Sequence, residues 1–167
     1  QLIIIVLTIV LIGLVVYFSL IQASLIVSLI LKDKEQGVRR RIMVSPVAQI
    51  VYVLGNGAAA FVILAVQVLV FVSFITFVFP VPIGLSFFGL VFILLVFNLT
   101  GIGLGFLFCS LSDTSSGAMM IANLALMITS LLGGSYFPVD MMSPFIQKLA
   151  YAFPQFWVMR AIRQAQS

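Results

Sequence analysis

KDKEQGVRRR, from Lys32 to Arg41, is followed by a helix-start signature at Ser45-Pro46 and holds seven of the chain's twelve charged residues. Placing one Lys, Arg or Asp at the centre of a membrane helix costs about 2.5–3.5 kcal/mol, so seven together would cost about 20 kcal/mol. This stretch therefore stays in water. On either side of it lie uncharged segments, Leu2 to Leu31 and Ile42 to Ser112, and each is long enough to cross a bilayer.

The composition agrees with a membrane setting. Hydrophobic residues make up 63% and charged residues 7%, with a mean hydropathy of +1.34, whereas soluble domains carry roughly 25% charged residues. The chain reads as an all-α polytopic membrane protein with four transmembrane helices. The first spans 2–31, and its thirty helical residues would extend about 45 Å against a hydrocarbon core of about 30 Å. The second and third, 47–79 and 85–111, form a hairpin broken at Phe79-Pro80-Val81-Pro82-Ile83-Gly84, where two prolines remove donors and a glycine permits the reversal. Gly55-Asn56-Gly57 would kink the first arm or mark its entry into the membrane. The fourth covers 117–137, capped by Asp113 or Ser112. Residues 141–167, split by Pro154, give two short pieces that lie on the interface or re-enter the bilayer, with Tyr151, Phe156 and Trp157 suited to interfacial depth.

Five Lys/Arg between Lys32 and Arg41 put segment 32–46 in the cytoplasm by the positive-inside rule, and the pieces after Pro138 outside. Lys148, Arg160 and Arg163 in the last thirty residues oppose that assignment. Cys109 has no partner cysteine in the chain. Because the sequence begins at Gln1 inside an apolar segment, a fragment is expected.

Catalytic motifs are missing. There is no histidine and no GxxxxGK[ST], which excludes His-dependent triads, His metal sites and ATP binding through a P-loop. No catalytic residue, metal site, cofactor or nucleic-acid partner is assigned. Gly101 and Gly105 form a small-xxx-small pair, for packing within the chain or for an interface. Gln67, Asn98 and Asn123 are amides in apolar segments, and Gln67 and Asn98 lie at similar depth. They either bond between helices or line a substrate path. The opening stretch also has two readings, a topology signal and a docking element. Its alternating signs at Lys32-Asp33-Lys34-Glu35, then Gly37, Arg39, Arg40 and Arg41, suit a short amphipathic cytoplasmic helix facing a partner.

KEQGVRRRIMVSP with its long apolar hairpin resembles the permease subunits of type-2 ATP-binding cassette (ABC) exporters, whose E-x-G-T-x-x-x-L-x-x-S-P stretch follows the second membrane helix. Glu35, Gly37, Ser45 and Pro46 match it, Ile42 takes the apolar position, and Val38 replaces the usual Thr. Phe137-Pro138, Pro144 and Pro154 match the family's later F-P motif and outer short helices. The resemblance implies an incomplete six-helix permease, its first and sixth helices missing, in a bacterial cell membrane. It also implies a cytoplasmic coupling helix in which Lys34, Glu35, Gln36, Gly37, Arg39, Arg40 and Arg41 dock on a nucleotide-binding subunit. That subunit would bind ATP and Mg. A second permease copy or homologue would face this one, and a drug-like, lipid-like or peptide substrate would leave between them. The competing expectation is a non-transporting scaffold or assembly protein whose basic loop binds anionic lipid.

Overall fold

A computed structural model describes residues 2–37, 49–78, 86–135 and 142–166. The Ser45-Pro46 start, Arg39 to Arg41, the Pro80-Pro82 turn, Phe137-Pro138 and Asp140 lie outside them. Among the described residues there are six helices and no strand: α1 (Leu2–Glu35), α2 (Gln49–Val78), α3 (Phe87–Ser110), α4 (Ser115–Leu132), α5 (Pro144–Ala150) and α6 (Pro154–Gln166). The first four are long and apolar enough to cross a membrane. The chain is an all-helical, multi-pass membrane protein.

Several helix ends differ from the sequence expectation. Lys32 does not end α1, which continues to Glu35. Thirty-four helical residues extend about 51 Å, well beyond a 30 Å core, so the last turn is hydrated. Lys32 and Lys34 there complement the negative end of the helix dipole. The helix closes as the Gln36 N–H donates to the Lys32 carbonyl at 2.9 Å and Gly37 turns the chain at φ +73°, a left-handed position that glycine takes without strain. Helix α2 runs unbroken through Gly55 to Gly57, where the Asn56 side chain donates to the Tyr52 carbonyl at 2.9 Å.

Thr114, rather than Asp113 or Ser112, caps α4, its hydroxyl accepting from the Gly117 N–H at 3.1 Å. The Ser112 hydroxyl is engaged with the Thr114 backbone instead. Helix α4 stops at Leu132, five residues before the expected end, because Gly133 caps it and Gly134 reverses the chain at φ +79°.

Helix α1 is the centre of the bundle and packs on α2, α3, α4 and α6. Lipid tails are as apolar as leucine, so close backbone approach between small residues drives such packing more than burial does. Gly101 and Gly105 lie against α1 of the same chain: a methyl at Gly101 would stand 3.2 Å from Leu20 Cδ2, and one at Gly105 would stand 3.2 Å from the Ala23 carbonyl. The main core joins Val16 and Leu20 of α1, Val68 and Val72 of α2, Leu94 of α3, Leu126 of α4 and Met159 of α6. A smaller core, with Ala23, Val27, Ala60 and Leu64, lies nearer the charged end of α1.

Helix α6 is inserted beside the spans. Gln155 is fully buried and donates to the Thr129 hydroxyl at 3.0 Å, while Val158, Met159 and Ile162 join the main core. Its outer side meets α3 between Phe92 and Thr100, about 8 to 20 Å along α3 from Phe87.

Candidate functional site

At the hydrated end of α1, three successive side chains reach three different places. Asp33 accepts from the Tyr52 hydroxyl on α2 at 2.5 Å. Lys34 pairs with Asp113 in the α3–α4 turn at 3.4 Å. Glu35 accepts from both the backbone N–H and the hydroxyl of Ser115, the first residue of α4, at 2.7 and 3.1 Å. Consecutive helical residues are separated by about 100°, so this trio fans over about 200° of the α1 circumference. One helix end thus grips α2 on one side and the start of α4 on the other.

The three contacts differ in strength. Asp113 is almost wholly exposed at the side chain, and an ion pair in water contributes little. Glu35 places a carboxylate on the first N–H groups of α4, where the helix dipole is positive and such a charge is worth about 0.3–1 kcal/mol. The Asp33–Tyr52 bond joins a charged acceptor to a partly buried donor and is the firmest of the three.

Lys34 and Glu35 therefore face the chain's own α3–α4 turn, whereas the sequence reading had them facing a partner. Gln36 is exposed and Gly37 half-buried at the tip. Asp33, Tyr52, Asp113 and Ser115 complete the arrangement; from the sequence Asp33 counted only in the charged stretch and Asp113 only as a helix cap, and Tyr52 was not singled out. Tyr52, a hydroxyl near the start of the arm, and Asp113, the sole charge between Ile42 and Asp140, were the available signals.

The amides do not come together. Asn98 is buried with both side-chain polar atoms unpartnered, and Gln67 is half-buried with its carbonyl oxygen unpartnered, so the expected bond between the hairpin arms is not formed. Asn98 shares the strip of Gly101 and Gly105, at i, i+3 and i+7, which faces α1. Asn123 is exposed on α4. Among the described residues no three His, Cys, Asp or Glu side chains gather as metal ligands.

The family described as ABC-2 type transporter matches residues 2–167. Two curated relatives, each titled probable multidrug ABC transporter permease YbhR, come from Escherichia coli strain K12 and Escherichia coli O157:H7. Each is 24% identical over 143 residues, covering 85% of this chain and 39% of the relative. The chain thus spans about two-fifths of their length. No solved structure matches it.

Proposed function

The chain belongs to the ABC-2 type transporter family, and from that premise we propose that it is the membrane-spanning part of an ATP-driven exporter permease. Its energy comes from a separate nucleotide-binding subunit, which holds ATP and Mg and docks from the cytoplasm on Gln36, Gly37 and Arg39 to Arg41. Lys34 and Glu35 serve the same coupling by passing displacement of that surface into the bundle. The observation that carries this reading is the gripping end of α1: a push on the loop is felt through Asp33 by α2 and through Glu35 by α4.

Substrate passes between this permease and a second copy or homologue. The facing surface is α4, whose open side carries Asn123 among Met120, Leu124 and Met127. An amide turned to lipid is costly and a partner helix removes that cost, whereas adaptable methionines suit varied apolar cargo. The relatives' titles name multidrug transport, and a drug-like or lipid-like cargo fits these side chains.

Co-expression of the full permease with candidate ABC ATPase subunits tests this. The two should co-purify, and Arg40→Glu should reduce permease-stimulated ATPase activity to the basal rate. Labelling of Gln36→Cys from the cytoplasmic side, unchanged by Arg40→Glu, verifies that orientation is kept. Failure of any ATPase to associate would favour the scaffold reading, as would full stimulation in the variant.

A further inference from the structure

We infer that α6 and α3 build a site for an anionic phospholipid, with its phosphate on Arg160 and one acyl chain in the groove between the two helices. The inference holds whether or not the chain moves cargo.

The Arg160 guanidinium carbon stands 5.8, 5.9 and 5.8 Å from the ring centroids of Tyr151, Phe156 and Trp157. The three rings brace one another, with centroids 4.7 to 5.9 Å apart, and the Trp157 indole N–H donates to the Tyr151 carbonyl at 3.0 Å. A guanidinium held by ring faces keeps its in-plane N–H edge for another partner. Among the described residues nothing takes that edge: Arg160 makes no hydrogen bond or ion pair. The carboxylates Asp33, Glu35 and Asp113 are gathered at the opposite end of the bundle, and Asp140 lies outside the described residues. A permanently charged fork with fixed orientation is the group that takes phosphate in a bidentate manner.

Two spaces flank the ring cage: Arg160 borders one, and Trp157 borders the other. One, of about 280 Å³, is bordered by Gly133, Arg160 and Arg163, and Arg163 is held there by donating to the Gly134 carbonyl at 3.3 Å. The other, of about 350 Å³, is an apolar groove with Phe92, Val96 and Thr100 on α3 and Trp157 and Ala161 on α6. Trp157 links the two: its ring lies against the Arg160 guanidinium, and it lines the groove together with Ala161, one turn further along α6. A headgroup on Arg160 therefore has a channel for its chain across the Trp157 ring. The groove follows α3 for about 12 Å, from Phe92 to Thr100, an elongated apolar space that suits an acyl chain rather than a soluble anion.

Trp157 is the only tryptophan in these 167 residues and forms the wall common to cage and groove, so it reports occupancy. In the full permease, with any tryptophan outside these residues replaced by Phe, detergent-solubilised protein is titrated with phosphatidylglycerol or phosphatidylcholine brominated on the acyl chain. Phosphatidylglycerol should quench Trp157 at a mole fraction about fivefold lower, the factor that one arginine's attraction for an anionic headgroup supplies. Arg160→Gln should abolish the preference, and Ala161→Phe should reduce quenching by both lipids by filling the groove. Equal quenching by the two lipids would overturn the inference, as would a preference that survives Arg160→Gln. If millimolar inorganic phosphate alone removes the preference, the ligand is a free anion and the lipid assignment fails. If oligomerisation excludes both lipids, the groove belongs to a protein interface.

Discussion

A methyl group added at Gly13 would land on the carbonyl of Ser135, a backbone atom that cannot rotate away. Gly13→Ala should therefore destabilise the bundle by about 1–3 kcal/mol, the usual cost of overpacking, measured as a lower midpoint of thermal unfolding in detergent. Gly103 supplies the control. A methyl there meets nothing within 4 Å, and Gly103→Ala should stay within about 1 kcal/mol of the parent. Equal effects would mean that α1 and the end of α4 are not in this contact. Neither glycine stands out in the sequence, since the distinguishing feature of Gly13 is a neighbour more than a hundred residues away. The amides teach the same lesson. Depth follows from counting residues along a helix, so Gln67 and Asn98 could be set at one level. Which way each side chain points depends on how the helices are rotated, and the strip shared with Gly101 and Gly105 turns Asn98 toward α1.

At the scale of the element, the end of α1 and the start of α4 form one unit, because the first N–H of α4 is satisfied by Glu35 rather than by its own cap. Thr114 serves the Gly117 N–H. Glu35→Ala should leave the Ser115 N–H without that acceptor, so amide exchange in the first turn of α4 rises severalfold. Exchange at Gly89, capped by Ser86 at 3.2 Å on α3, should not change. Unaltered exchange at Ser115 would show that α4 does not depend on α1 for its start, and the path from loop to α4 would lose its first step. The spans themselves were legible, because apolar length against a 30 Å core is a direct physical constraint. Their ends were less so. Ser112, Asp113 and Thr114 are all competent caps by chemistry, and only the local turn decides that Thr114 takes the position. The run through Lys32 to Glu35 also read as loop by charge, although charge ends a membrane span without ending the helix.

Across the whole molecule, the outward faces of α2 and α4 differ in kind. Helix α2 turns Leu54, Val62, Val66, Val70, Phe74 and Phe77 outward, an apolar surface matched to lipid tails on which the Thr76 hydroxyl is satisfied by the Val72 carbonyl of its own helix. Helix α4 turns outward Met120, Leu124, Met127 and Ile128 with Asn123 in their midst and Ser116 at its start. Polar groups within spans gather at helix contacts, where a partner can satisfy them, so in the proposed pairing α4 faces the second permease and α2 faces lipid. In a Cys109→Ser background, Asn123→Cys should join two permeases through a short bis-thiol crosslinker in native membranes, whereas Phe77→Cys, at 85% exposure the most open large apolar side chain described, should remain uncrosslinked. Crosslinking at Phe77 but not Asn123 would place the pairing surface on α2, and the cargo path beside α4 would then have no opposite wall.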